Sequence, residues 1–334
     1  MRAIVARRYG PPGVLELQEV PDPPRAAVNI RVRFVGINFA DILSRMGFYQ
    51  GVPKPPFIPG LELAGEVESD ASGRFSPGQR VAALCLFKAY AERISVAAEQ
   101  VFPVPDGVPL EDAAAIPVNY LTAYHSMFYI GNLQTGDRIL IHGAAGGVGI
   151  AAVQLAKAHK LVTFGTAGPS KQDYLRQMGV DHPIDYTKDD FETVVRRVAP
   201  EGIEMALDAV GGDYFARSAR CLGPTGRLVV YGMSAVVGPS GKRDPLRAAK
   251  AFWQTPRFHP LKLIEKNISV IGVHLGRLGG RGHVLAPQLA DIYRMYADGQ
   301  VRPVISKTFP LAEAAEAHRY IHARKNIGKV LLAT

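Results

Sequence analysis

A short apolar run, Ile139 to His142, leads without a break into GAAGGVGIAAVQLAKA at residues 143–158. Strand, glycine turn and amphipathic helix in that order read as a cradle for the pyrophosphate of a dinucleotide. Ala144, Gly146 and Gly149 occupy the three positions of a G-x-G-x-x-G fingerprint, with alanine in the first place and Gly147 added. The expectation is that a small residue turns the chain at Ala144. Gly146 then admits the diphosphate to the backbone, and Gly149 lets the helix pack closely on the strand. Ala145, Gly146, Gly147 and Val148 form the predicted phosphate loop, where the helix N-terminus presents free N–H groups and the positive end of its dipole.

The next strand narrows the choice of dinucleotide. An NAD site usually places Asp or Glu about 20 residues beyond the fingerprint to hold the ribose diol. Here Leu161 to Gly165 reads as that strand and ends in Thr166, Ala167, Gly168, Pro169, Ser170 and Lys171, with no acid. The expected cofactor is therefore NADP(H), with Thr166 and Ser170 donating to the 2'-phosphate and Lys171 supplying charge. Tyr186 flanks either that phosphate or the adenine, or is a half-buried core aromatic; the sequence leaves these open.

The 334 residues suggest two domains with enough apolar content for substantial cores. Two cysteines, Cys85 and Cys221, form no C-x-x-C pair, which argues against a disulfide framework or a cysteine-rich zinc site. Met1 to Glu16 lacks the apolar stretch of a signal peptide, and no apolar run approaches the length of a membrane span, so a soluble, cytoplasmic protein is expected. A net charge of +9 favours acidic partners.

Texture changes twice along the chain. Residues 1–118 carry short strand patterns (Ile30 to Val35, Gly65 to Val67, Arg80 to Leu84, Arg93 to Val96) broken by Pro and Gly turns. From 119 to 275, strands expected at 138–142, 161–165, 203–208, 226–232 and 268–274 alternate with helices at 147–159, 170–179, 189–199 and 212–222, the pattern of a doubly wound parallel sheet. Residues 276–334 add helices near 284–298 and 311–323 and a strand at 329–333, and are expected to return to the first domain.

Taken together, the segments G36-I-N-F-A-D41, G60-L-E-L-A-G65, P77-G-Q-R-V81 and A114-A-I-P-V-N-Y-L-T-A123 resemble the medium-chain dehydrogenase/reductase superfamily. HPIDY at 182–186, VYGMS at 230–234, VIGVHLG at 270–276 and KNIGKVLL at 325–332 are similar to its zinc-free quinone oxidoreductase (zeta-crystallin-like) group, and most of all to the vesicle amine transport protein branch. The resemblance implies a GroES-like β-rich catalytic lobe (1–118), a Rossmann NADP(H)-binding domain (119–275) and a twofold dimer joined at the last strand of the nucleotide-binding sheet. It puts Asn38 and Leu61 where zinc alcohol dehydrogenases carry a cysteine and a histidine ligand, so no metal is expected. Asn38 is expected to line the nicotinamide pocket and to serve with Tyr49 as a catalytic residue, and Thr122 to touch the cofactor. Tyr231, Gly232, Met233, Val273, His274, Leu275 and Asn326 are expected along the cofactor's edge. Tyr49 matches a tyrosine over the substrate cleft and serves either as a donor to the acceptor oxygen or as a loop aromatic. Leu43 departs from the group's pattern, where a second cleft tyrosine is common, and this puts a quinone-specific pocket in doubt. Of the histidines, His318 and His322 share a helix face without a third ligand, so packing is expected of them.

Between Ser234 and Asn267 lie Lys242, Arg243, Arg247, Lys250, Arg257, Lys262 and Lys266, interleaved with Phe252, Trp253, Phe258 and Leu261. The expectation is a helical cover over the cleft with its aromatics packed inward. The alternative is a surface, residues 240–267, that rests on anionic membrane; the same residues could equally hold single-stranded RNA by phosphate contacts and stacking, although no nucleic-acid partner is expected. Two function classes follow. One is an NADPH-dependent reductase of quinones or enones, or of enoyl thioesters; the other is a lipid-associated binding protein that retains an NADPH pocket.

Overall fold

The structure, a computed structural model, describes residues 1–24, 27–238, 241 and 243–334. Lys242 of the basic segment lies outside the described residues.

The central part of the chain forms a six-stranded sheet whose strands all run parallel, in the order His182–Asp185, Val162–Ala167, Arg138–Ile141, Ile203–Asp208, Leu222–Val230, Ser269–Gly272. Side chains alternate between two cores. Ile139, Ile141, Met205, Leu207 and Val229 enter one cluster, while Leu140, Ala206 and Leu228 enter another on the opposite face. Burial on both faces explains why these strands read as unbroken apolar runs. Numbered along the chain, the strand order is 3-2-1-4-5-6, and it reverses between Arg138–Ile141 and Ile203–Asp208, which is where such sheets open a ligand crevice at their C-terminal edge.

The N-terminal lobe is built on a seven-stranded sheet in the order Ile305–Pro310, Lys329–Ala333, Val28–Ile37, Glu62–Asp70, Arg80–Leu84, Val101–Pro103, with Arg93–Val96 also pairing to Val28–Ile37. Two of its strands thus come from the C-terminal segment. Val28, Ile30 and Val32 are buried, while Arg31 and Arg33 point to solvent and pair with Glu68 and Glu66. The two lobes share one core: Ala64, Leu84 and Leu331 of the N-terminal sheet pack in the same cluster as Ile139 and Leu207.

The expected helix at 170–179 is a 3₁₀ turn, Pro169–Lys171, followed by a short helix, Gln172–Gln177, and the strand expected at 226–232 begins earlier, at Leu222. The last parallel strand is only Ser269–Gly272. Helix Phe39–Met46 and the basic helix Pro245–Gln254 complete the surroundings of the crevice, whereas the basic helix Pro260–Lys266 leads into the N-terminal end of the last parallel strand. Among the described residues no helix is long and apolar enough to cross a membrane.

Candidate functional site

Strand Arg138–Ile141 delivers the chain to the crevice, and helix Gly147–Ala158 leaves from it. The residue that turns the chain is Gly143, at φ +66°, rather than Ala144 as expected from the motif; a side chain resists that left-handed conformation. A Cβ on Gly149 would lie 2.2 Å from the Gly143 carbonyl oxygen, so the helix packs on the turn as the fingerprint requires. A Cβ on Gly147 would collide with Asn119 at 2.5 Å. A Cβ on Gly146, by contrast, would meet only the Gly143 oxygen, at 3.2 Å. The C-terminal segment closes on this loop, where Gly328 N–H donates to the Ala145 carbonyl at 3.0 Å. Val148 packs against the core, and Thr122 is buried on helix Pro117–Tyr124, which packs on helix Gly147–Ala158.

The neighbouring strand, Val162–Ala167, ends in a cationic corner. Lys171 Nζ donates to the Asn326 carbonyl, and the Asn326 amide in turn donates to Gly328 O at 3.0 Å. Arg324 donates to the Tyr186 hydroxyl at 2.9 Å, and that hydroxyl would touch a Cβ on Gly168 at 3.2 Å. Burial first, and then the nearby Arg324 charge, hold the Lys171 ammonium below the usual lysine range. Neither cation has a carboxylate partner among the described residues, and together they form a ready seat for a phosphate dianion. Ser170 is exposed at the same corner. Thr166 is placed differently from its expected phosphate-donor role. It is buried, and its hydroxyl accepts from Gly143 N–H and pairs with His142 Nδ1, both at 3.2 Å. His142 continues through Ser218 (3.0 Å) to Asp208 (Ser218 to Asp208 2.8 Å), and burial keeps the imidazole below the usual histidine range. This chain of polar contacts ties the cradle to the sheet.

Asn38 lies at the lobe junction, at the start of helix Phe39–Met46. Its backbone N–H donates to Asp41 Oδ2 at 2.7 Å, half of a capping box. Its side chain is drawn away from the helix. Asn38 Nδ2 donates to Glu62 Oε1 at 2.8 Å and to Gly36 O, and Asn38 Oδ1 accepts from Lys329 Nζ at 2.6 Å. Lys329 also pairs with Glu62, both side chains being almost wholly buried, and Glu62 Oε2 accepts from Val118 N–H at the start of the next helix. Burial raises the Asp41 carboxyl to about 7, against the opposing Asn38 N–H and Lys329 charge.

Over the crevice stand Tyr49, Leu43, Met233 and Val236, with Ala248 and Ala251 of helix Pro245–Gln254 packed on Ile42 and Met46. Tyr231, Gly232 and Met233 follow strand Leu222–Val230, and Val273, His274 and Leu275 follow Ser269–Gly272, so both segments emerge at the sheet's C-terminal edge. Tyr49 and His274 face each other with ring centroids 5.4 Å apart. Of the aromatics of the basic segment, Phe258 packs against the core as expected, but Phe252 and Trp253 do not. Ala248 and Ala251 do, leaving Trp253 87% and Phe252 58% exposed. His318 and His322 are packing residues, bonded to Tyr90 at 3.0 Å and to Arg45 at 2.6 Å.

The chain matches the models of the zinc-binding dehydrogenase family over residues 178–332 and of the alcohol dehydrogenase GroES-like domain over residues 24–106. The human synaptic vesicle membrane protein VAT-1 homolog is 37% identical over 340 aligned residues, covering 99% of this chain and 86% of that protein. The chain belongs to the medium-chain dehydrogenase/reductase superfamily, among the VAT-1 homologs. Two solved members of this superfamily superpose over its full length. The mycobacterial Rv1454c complexed with NADPH has a TM-score of 0.87 at 28% identity, and Escherichia coli quinone oxidoreductase complexed with NADPH has 0.87 at 26% identity; each pairing covers 100% of both chains.

A zinc ion does not fit the residues present here. The positions where the resemblance implies zinc ligands hold the Asn38 amide and the buried Leu61, and the Lys329 ammonium already lies against Asn38 and Glu62. Among the described residues no group of three His, Cys, Asp or Glu side chains is arranged to hold a metal. The sequence reading did not identify Lys329, Glu62, Asp41, Asn119 or Arg324. All but Arg324 lie inside the family-like segments, where a charged or amide residue between apolar ones was the available signal.

Proposed function

We propose that this chain is an NADPH-dependent reductase that, without zinc, delivers hydride to a quinone or to the β-carbon of an enone. The observation that carries the reading is the cradle of Gly143 to Gly149 flanked by the acid-free corner of Ser170, Lys171, Tyr186 and Arg324. Bound NADPH would supply the hydride. The chain's own residues do the rest. Ala145 to Val148 hold the diphosphate at the helix N-terminus, and Lys171 and Arg324 neutralise the 2'-phosphate. Thr122, Tyr231 to Met233, Val273 to Leu275 and Asn326 line the cofactor's path. Asn38 acts as a positioning residue, since its amide is spent on Lys329, Glu62 and Gly36. Tyr49, whose hydroxyl burial pushes up to about 12, stays protonated and serves as a donor to the acceptor oxygen. Hydride transfer to an acceptor that is already electrophilic needs positioning more than a Lewis acid. The test is NADPH oxidation by purified protein against quinones, enones and enoyl thioesters. Oxidation with the thioesters alone narrows the reading to an enoyl-thioester reductase.

A second reading rests on the two basic helices. Leu246, Trp253, Leu261 and Ile264 are 84%, 87%, 68% and 73% exposed, and Lys250, Arg257, Lys262 and Lys266 lie among them. Apolar side chains standing out of a basic surface suit an anionic bilayer. Flotation with phosphatidylserine vesicles, set against neutral phosphatidylcholine vesicles, tests this directly. Trp253→Ala should weaken the recovery.

A further inference from the structure

We propose that Tyr49 and His274 together form a two-donor grip on the carbonyl oxygen of the acceptor, so that His274 is a catalytic residue as well as a wall of the cofactor crevice. The inference rests on the reductase reading above and goes beyond it, because it specifies which atom of the acceptor the protein recognises and with which groups.

The two residues come from different lobes. Tyr49 follows helix Phe39–Met46 after the left-handed Gly47, and its ring stands edge-on to Phe87 at 6.3 Å. His274 leaves the last strand of the parallel sheet and begins the turn Leu275–Leu278. A Cβ on Gly276 would lie 2.9 Å from His274 Cε1, so glycine there leaves the imidazole its place. The rings meet at 5.4 Å with a 43° tilt.

Both nitrogens of His274 are buried and have no hydrogen-bond partner among the described residues. The Tyr49 hydroxyl likewise has no protein partner among them. Buried polar groups are nearly always satisfied, and two orphaned His274 nitrogens beside the half-buried Tyr49 ring call for a ligand that satisfies them. Their protonation states suit donation. Burial, and then the Arg277 charge, lower the His274 imidazole below its ordinary range, so it is neutral with one N–H. Burial and the Asp41 charge raise the Tyr49 hydroxyl while Arg277 opposes them.

The oxygen is where charge develops. As hydride adds to the β-carbon of an enone, the carbon–carbon π pair becomes the enolate double bond and the carbonyl π pair moves onto oxygen. Water then protonates the α-carbon, so the acceptor gains hydride and proton while NADPH becomes NADP⁺. The Tyr49 O–H and the His274 N–H, fixed before the reaction, hold that oxygen as its charge grows.

The probe is 4-nitrophenol, whose coloured phenolate mimics the enolate oxygen, added to the full chain saturated with NADP⁺ and titrated across pH. The expected result is that phenolate binds about tenfold or more tighter than phenol, and that His274→Phe and Tyr49→Phe, each saturated with NADP⁺, remove most of this preference. His274→Asn, which keeps an N–H donor, should retain part of it. This variant also answers the question if His274→Phe fails to fold. No binding of the probe, equal affinity for its two forms, or an unchanged preference in the variants would overturn the grip. A failure of the reductase reading is a different result, in which phenolate preference persists but no acceptor oxidises NADPH.

Discussion

The Lys329 ammonium lies 2.6 Å from Asn38 Oδ1 and, in the same buried cluster, against the Glu62 carboxylate. One cation from the last strand therefore fixes the amide orientation of Asn38 and links two strands of the N-terminal lobe. Zinc-dependent members of the superfamily are expected to keep a metal ligand at the Asn38 position. In this chain the positive charge there is covalently attached.

Breaking that pair leaves an uncompensated buried charge. Lys329→Met should lower stability by about 3–5 kcal/mol, measured by denaturant unfolding. The double variant Lys329→Met, Glu62→Gln should recover much of the loss, since neither partner is then charged. A double variant no more stable than the single one would contradict this.

Nucleotide preference follows from the corner at the end of Val162–Ala167. NADPH should bind more tightly than NADH. Lys171→Ala and Arg324→Ala should each weaken NADPH binding by roughly 10- to 100-fold while leaving NADH binding nearly unchanged, which calorimetry can read. Equal affinities for the two nucleotides in the natural protein would contradict the assignment.

Asp41 gives stability a pH dependence of defined sign. Its carboxyl is raised from 3.8 to about 7 by burial, so the folded state binds this proton more tightly than the unfolded chain does. The stabilisation is complete below pH 3.8 and is lost as pH rises through about 7. Asp41→Asn keeps an acceptor for the Asn38 N–H and has no charge to bury. Relative to the natural protein the variant should gain roughly 2–4 kcal/mol between pH 4 and pH 8, followed by thermal unfolding. A difference that does not change with pH would refute this.

Assembly is tested at the edge of the parallel sheet. Strand Ser269–Gly272 is terminal, with Val270 and Ile271 half-buried, while Val273 is already buried within the chain and needs no partner. An open strand edge is a pairing hazard. Light scattering at micromolar concentration should give the mass of two chains, and a single-chain mass would rule the twofold dimer out.

The parallel sheet and its cradle were legible in the sequence because apolar runs and glycines report directly on burial and turns. Ile139 to Ile141 are apolar since both faces are covered, and Gly149 is glycine since a Cβ would strike the turn. The pairing of Lys329 with Glu62 was not legible, because the partners are far apart in the chain and meet only when the C-terminal strand joins the first lobe. Gly143 was not legible as the turn because the motif's spacing, counted back from Gly149 and Gly146, falls on Ala144, and only the sign of φ shows which residue turns. Trp253 was expected inside on hydrophobicity alone. The helix instead turns its alanines inward, where the crevice wall leaves little room.

The account is tested most directly by steady-state NADPH oxidation on metal-stripped protein, with quinones and enones as acceptors. It predicts turnover with at least one acceptor class, a kcat/KM for NADPH well above that for NADH, and no gain when zinc is restored. Turnover that disappears on chelation and returns with zinc, or no oxidation with any acceptor by protein that binds NADPH, would contradict it.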